Sequence, residues 1–386
     1  MHCLRKLVVI LCYFCAEMKH ILVKAQFRIL QLSLLFLIII GYEKSNAQSF
    51  FLKNDYDTTY IYSATEKLTS RLLSSLSDTE ILFRDRNLNS SLSYSIHSEL
   101  RYGIGFNYSV FGVNLSFSPF NNAAAVSKYG ETKSIDLRIN LYGRRVIFDL
   151  YLLNHSGFYL SNPEAALDGW TDVEAYPLRP DIHVFSSGIV TQYIFNNRKF
   201  SLRATYLQNE WQKKSAGSFI VGANLFYMLF DADSSFIPSN MKYPDFIGGY
   251  KLNHSSSLNI GINGGYSHTF VLKQNFFLSL GLSVGPQFSY SVVTSEYLSQ
   301  SRNTAGTFGL NGLIRGGIGY NSKKVYAGIF FISENLAHTS ALKDVSSILS
   351  AGIIKLNLVY RFTLKKPIKF LNPNYWKFLQ PKDSKG

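Results

Sequence analysis

Cysteine is almost missing from this chain. The three present, Cys3, Cys12 and Cys15, all fall near the start, so the rest can build neither a disulfide framework nor a thiolate metal site. The Cys12-Tyr13-Phe14-Cys15 spacing matches a redox pair, yet it sits in an apolar stretch with no fold around it. Bulky Leu11 and Phe14 stand where a lipoprotein anchor needs a small residue. Charge is also scarce: Asp, Glu, Lys and Arg make up 17% of the residues, against roughly 25% in an average soluble domain. The eight histidines are scattered and none forms a His-x-x-x-His pair, so no metal site of that kind is expected. Cofactor motifs are lacking too. Gly-rich GINGGY and GLIRGGIGY lie inside alternating runs, with no helix after them to hold a phosphate.

Aromatic residues are abundant. Phe, Tyr and Trp reach 15% of the chain, with 30 Phe and 25 Tyr, and these strand formers, with few prolines and many Gly and Ser, point to an all-β protein. Near the N-terminus, Lys19, Lys24 and Arg28 precede the run Ile29 to Ile40, and Ser45 and Ala47 occupy the small-residue positions of a cleavage site. Residues 1–47 therefore read as a leader whose signal peptide starts at Met18 and is cut after Ala47. Its apolar run falls short of the roughly 20 residues of a membrane-spanning helix. Residues 48–65 are expected to form a periplasmic segment, 66–364 the body of the protein, and 365–386 a basic aromatic tail.

After the leader, period two dominates. In KSIDLRINLYG, Ile135, Leu137, Ile139 and Leu141 share one face while Asp136, Arg138 and Asn140 share the other, the pattern of a half-buried strand. Val146, Phe148, Leu150 and Leu152 continue beyond the turn Gly143-Arg144-Arg145, which completes a hairpin. The same grammar recurs in 102–118, in DIHVFSSGIVTQYIF, in KFSLRATYL, in the hairpin around 273–275, in the hairpin around 321–323 and in GIIKLNLVYRF. Such strands are too long and too many for a sandwich. They fit a closed antiparallel transmembrane β-barrel of the outer-membrane type with about 12–14 strands, since an all-β chain can span hydrocarbon only by closing on itself.

Link lengths agree, with short turns alternating with long loops as periplasmic turns and outer loops do. The alternation fails once, at 230–257, where a strand over Asp245 to Lys251 would repair it. That strand, with KLTSRLLSSLSDTEILF as a first one, favours the higher count over 12. On this reading the link 209–215 emerges on the outer side, with Trp211 near the headgroups and Lys213 and Lys214 within reach of anionic lipid. Alternation also turns Asp136, Arg138, Asp149, Arg203, Arg315, Lys355 and Arg361 toward the lumen, away from a lipid face where each base would cost about 2 to 4 kcal/mol. The interior is then positive. It is either plugged by ion pairs such as Arg138 with Asp149 or open to anions.

Several segments are familiar. YDTTYI (56–61), KLTSRL (67–72), YGRR (142–145), YPLRPD (176–181), QYIFNNRKFSLRATYLQNEWQKKSAGSF (192–219) and DSSFIP (233–238) resemble a Bacteroidota family catalogued as domain of unknown function 4421, and the stretch through Asn209–Lys214 is the most specific part. The resemblance implies an outer-membrane barrel in a Gram-negative envelope. It implies no activity, substrate or catalytic residue.

The strongest enzymatic candidate is His155 with Ser156 in NHSGF, which echoes the surroundings of barrel phospholipases. Adjacent strand residues point to opposite faces, so His155 cannot serve Ser156 directly unless the strand has ended, and a polar strand-to-loop junction is the plainer account. The basic balance, +14, together with a signal peptide, points to outer-membrane lipid and lipopolysaccharide rather than nucleic acid. The tail carries Tyr375 and Trp376 as interface anchors. A non-enzymatic pore, transporter or envelope scaffold is the leading expectation. The alternatives are a subunit of an export or adhesion assembly, possible through an envelope protein partner, and then a lipid-modifying hydrolase.

Overall fold

The computed structural model describes residues 55–118, 123–171, 175–295, 302–339, 342 and 344–371. The leader, Tyr375 and Trp376 lie outside the described residues. A short strand β1 (Ile61–Ser63) comes first, followed by β2 (Leu68–Asp85), β3 (Ser90–Ile96), β4 (Leu100–Tyr108) and β5 (Phe111–Phe117). Helix α1 (Ala123–Tyr129) leads to β6 (Lys133–Tyr142) and β7 (Val146–Leu160), and α2 (Pro163–Ala166) to β8 (Leu178–Ile194). A helical turn α3 (Leu202–Tyr206) and β9 (Glu210–Gln212) precede β10 (Ala216–Asp231). The last strands are β11 (Leu252–Leu272), β12 (Phe276–Ser295), β13 (Arg302–Asn321), β14 (Val325–Thr339) and β15 (Val345–Phe362).

The wall is a ring of 12 antiparallel strands, closed where β15 pairs β2 from Phe362 opposite Leu68 to Val345 opposite Asp85. Both described chain ends and the short turns at 109–110, 143–145, 273–275 and 322–324 share one end, the turn end. The loops lie at the other. There one strand, β3, replaces three: it pairs β2 over 80–85 and then β7 at Phe158–Leu160, above β4, β5 and β6. The switch of β7 from β6 to β3 needs Gly157, which sits at φ +85 in a register break, and a Cβ there would lie 2.2 Å from Glu131 O. A left-handed bulge residue with backbone against it has to be glycine.

Alternation sets the two faces of the wall, and along long strands such as β2 the polarity of the faces inverts. Near the turn end β2 turns Leu72 (63% exposed) and Leu76 outward and Arg71, Ser75 and Ser77 inward. Farther up, Asp78 and Arg84 face outward and Ile81 and Phe83 inward. An apolar belt including Ile262 (62%) and Leu282 (56%) thus girdles the half toward the turn end, the outer face of a membrane barrel. The other half is built like a soluble protein, with the segment 232–251 folding Phe236, Met241, Phe246 and Ile247 into its core against Phe83 and Phe230.

Three sequence expectations need correction. KFSLRATYL is no wall strand: Ser201 caps a helical turn by accepting from Ala204 N (3.2 Å), and residues 200–210 are buried on every side, so their apparent alternation has no sheet to serve. Asp245–Lys251 holds a 3-10 turn over Phe246–Gly249 instead of a strand. With both removed and β2 included, the ring has 12 members rather than 14. The fault at 230–257 then disappears, because the whole of 195–215 lies at the turn end and 232–251 is a true loop. Strands also run longer than the alternating cores suggest, β11 reaching 21 residues.

Leu282→Arg, at the middle of the belt, is expected to cost about 2 to 4 kcal/mol, whereas Arg84→Gln above it stays within about 0.5 kcal/mol. Denaturant titration of the protein in phospholipid vesicles measures both.

Candidate functional site

The segment 195–215 enters the barrel and closes its turn end. Glu210, wholly buried, is its centre: Arg144 from the β6–β7 turn and Ser201 each donate to one of its carboxylate oxygens, and Arg203 Nε lies 3.7 Å away. The carbonyls at the end of α3 would be orphaned in such a place, and each finds a donor. Ala204 O accepts from Asn321 Nδ2 (3.2 Å), Thr205 O from Tyr326 OH (3.3 Å) and Gln208 Nε2 (2.8 Å), and Tyr206 O from Gln208 Nε2 (3.0 Å). Arg361 donates through Nε to Gln208 O (2.8 Å) and through Nη2 to Glu210 O (3.2 Å) and Asn321 Oδ1 (2.8 Å). Asn107 donates to Leu207 O, and Asn209 reaches Ser109 O (2.8 Å). Side chains of β4, β13, β14 and β15 therefore grip the segment from around the ring.

Below it, β1 pairs β9, with Tyr62 opposite Trp211. Cations stack on the tyrosines of this layer: Arg144 over Tyr56 (4.5 Å), Lys199 and Lys214 over Tyr60 (5.1 and 5.3 Å) and Lys67 and Lys323 over Tyr62 (5.8 and 5.7 Å). Hydrogen bonds from Thr59 hold the Asp57 carboxyl below its ordinary range. The expectation that 209–215 emerges at the end opposite the short turns is therefore corrected. Trp211 Nε1 donates to Gln274 O (2.8 Å), Lys213 N to Tyr60 O (2.7 Å), and all of it lies at the turn end, because β8 arrives there and β10 leaves from there.

Above the plug lies a charged layer. Asp149 accepts from Arg315 Nη2 (2.6 Å), Asn140 Nδ2 (2.6 Å) and Tyr142 OH (3.2 Å), while Arg138 pairs with Asp136 (2.8 Å) along its own strand. The expected pairing of Arg138 with Asp149 is thus replaced by two others. Arg138 and Asp149 face inward from neighbouring strands, but Asp136 is the nearer same-face partner and Arg315 reaches Asp149 across the lumen. Lys355 and Arg361 also face inward, and Arg203 is interior on the plug rather than on a strand. Arg315 Nε and Nη1, Glu334 Oε2 and both amide atoms of Asn224 have no protein partner, the condition under which buried polar groups take water.

Four interior residues escape a reading by strand cores. Arg71 was signalled by its alternation with Leu72 and Leu76. Glu334 lies beyond the VYAGIFFI core, on the extension of β14. Arg144 and Glu210 belong to a turn and to the plug, where period two says nothing.

His155 and Ser156 do not converge. His155 is 1% exposed inside the lumen, its ring nitrogens bonded to Ser134 Oγ (2.8 Å) and Thr79 Oγ1 (3.3 Å), and Ser156 belongs to the opposite face. Among the described residues no group of three or more His, Asp or Glu is arranged to hold a metal ion.

Glu210→Gln would leave Arg144 and Arg203 buried without their counter-charge, an expected loss of about 3 to 5 kcal/mol. It reads out as a lower denaturant midpoint, with Lys214→Gln nearly unchanged.

No curated protein matches the chain. Solved structures similar to it include the outer membrane protease OmpT of Escherichia coli (8% identity, 78% of this chain and 98% of that one, TM-score 0.38). The outer membrane protein OprG of Pseudomonas aeruginosa (10%, 80% and 100%, 0.22) and the toluene transporter TodX of Pseudomonas putida (8%, 78% and 90%, 0.25) are similar too. The family model described as Domain of unknown function (DUF4421) matches residues 55–362, the span that holds the wall, the plug and the β1 strand beneath it, and the chain belongs to that family.

Proposed function

We propose that the protein is a non-enzymatic outer-membrane barrel acting in transport, shut at rest by its own 195–215 segment. The apolar belt on a closed antiparallel wall supports residence in a membrane, and the leader of 1–47 supports export, with the turn end periplasmic and the loops outside. The observation that carries the transport reading is the way the plug is held. Beside the packed Phe200, Leu202, Tyr206 and Leu207, its grip rests on hydrogen bonds and the Glu210 ion pairs, which water can replace when the segment moves. The charged layer adds Arg71, Arg138, Arg315 and Lys355 against Asp136, Asp149 and Glu334, a positive excess that favours anions along an opened path. His155 is bonded to two hydroxyls and to no carboxylate, which supports a role without catalysis.

A second reading, an assembly subunit, is favoured by the charge of the turn end. Nearly every link there carries a base, among them Lys67, Arg145, Lys199, Lys273 and Lys323, a surface suited to an acidic envelope partner. The belt meets outer-membrane lipid, and exposed bases of the loop end such as Arg86 and Lys133 are those placed for lipopolysaccharide.

The protein is expected to fractionate with outer membrane and to show heat-modifiable mobility; recovery as a soluble periplasmic protein overturns the reading. In planar bilayers the native protein should be silent, and replacing 197–214 by a short Gly-Ser link should produce anion-selective currents. Silence of a folded, plug-deleted barrel would favour the scaffold or assembly reading. His155→Ala and Ser156→Ala should leave any fatty-acid release from phospholipid at the wild-type background, whereas a loss in both would revive the hydrolase.

A further inference from the structure

Among the described residues, the seam between β5 and β6 is open over several positions. β5 pairs β4 along its whole length, and β6 pairs β7 from Lys133 to Tyr142. Between β5 and β6 the register holds only Phe111 with Leu141 and Gly112 with Asn140. From Val113 to Phe117 and from Ile135 to Ile139 the facing edges pair with no strand among the described residues. The gap is bridged again higher up, where Arg101 Nη2 donates to Ser134 O (3.2 Å) and His97 N to Thr132 Oγ1 (2.9 Å). A window is left in the wall.

Its outer frame is apolar and exposed, with Val113, Leu115 and Phe117 on one side and Ile135, Leu137 and Ile139 on the other. Unpaired sheet edges at this level are costly in hydrocarbon, so a molecule with polar groups is favoured between them. Behind the window stand Arg138 with its partner Asp136, Asn114 with an unpartnered Oδ1, and Arg71 with an unpartnered Nε. Lys355 has no hydrogen bond or ion pair among the described residues and lies within electrostatic reach of Arg138, Asp136 and Arg71. Three cations here face Asp136, with Glu334 as a second carboxylate within electrostatic reach of Arg138. The plug blocks the approach from one end and the apolar core blocks it from the other, which leaves the bilayer as the way in.

We propose that the window between β5 and β6 is a lateral binding site for a single-chain anionic amphiphile. Its carboxylate or phosphate head passes the unpaired edges to meet Lys355 and Arg138, and its chain stays in the bilayer against Leu115, Phe117 and Leu137. Charge complementarity selects the head and the apolar frame selects the chain. The inference rests on the barrel reading above, and heat-modifiable mobility checks that reading separately in every sample.

The test uses the full chain in lipid nanodiscs and the fluorescent fatty acid cis-parinarate, with oleate, oleoyl lysophosphatidate and oleyl alcohol as competitors. Saturable binding is expected, displaced by both anions at concentrations roughly tenfold below those needed of the alcohol. Oleate and the lysophosphatidate distinguish a free fatty acid from a phospholipid product as the preferred source. Lys355→Gln should weaken binding roughly fivefold while leaving heat-modifiable mobility intact. In a background with Cys3, Cys12 and Cys15 changed to serine, Val113→Cys with Ile139→Cys, joined by a short bis-maleimide, should abolish binding. Binding that survives this staple, equal displacement by oleyl alcohol, or no saturable binding to a heat-modifiable barrel each overturns the proposal. Hydrogen exchange at 113–117 and 135–139 as slow as in β11, together with a two-chain native mass, would show that a second copy occupies the edges and would also overturn it. A sample without heat-modifiable mobility fails the barrel reading instead.

Discussion

Backbone hydrogen bonding in a medium without water is the constraint on which the rest of this molecule depends. Every N–H and C=O of the belt has to be answered within the wall, so the first and last long strands, β2 and β15, must meet along their full length, and they do. The same demand makes the β5–β6 seam informative. Among the described residues the other belt seams are broken by no more than a two-residue gap between β11 and β12, whereas here two short edges are exposed at the level of the apolar frame, close to Lys355 and Arg138.

Closing a ring of this size creates a second problem, because the lumen is wider than the side chains of the strands alone can fill. The chain solves it with its own material at both ends. At the loop end the filling is apolar, led by Phe236 and Phe246 against Phe83 and Phe230. At the turn end apolar side chains such as Phe200 and Leu202 are joined by a polar centre, and the buried Glu210 makes it cohere: with Arg144, Arg203 and Ser201 on its oxygens, a segment whose strand β9 pairs only the short β1 becomes part of the interior. Between them the charged layer keeps several polar atoms free of protein partners, so the middle of the lumen is the wet part.

Period two made the wall legible in the sequence wherever one face meets lipid and the other the lumen, and the inward turn of Arg138, Arg315 and Lys355 follows from that rule. KFSLRATYL shows where it breaks. Phe200, Leu202, Ala204 and Tyr206 alternate as a strand would, but all their neighbours are buried too, and only Ser201 as a cap marks the helical turn. The loop-end halves of β14 and β15 lie beyond the alternating cores because there the rule reverses, with Leu349 and Ile353 inward and Ser350 outward, so a search for apolar-out segments stops too early. The window was invisible for the opposite reason. VNLSF and IDLRI alternate cleanly, and whether two edges pair is decided by where β3 and β7 pull the chain, not by the residues on the edges.

The reversal of faces along the strands also acts as a ruler. Lowering the barrel would drown Asp78, Arg84 and Asp231 in hydrocarbon, and raising it would lift Leu72, Ile262 and Leu282 into water, so it can float at one depth only. Strands of up to 21 residues exceed the roughly 9 to 11 that a bilayer needs. The surplus, tilted and at about 3.3 Å per residue, holds the loops on the order of 20 Å clear of the lipid. Whatever meets α2 and the segment 232–251 therefore meets them above the belt, on the extended halves of the long strands.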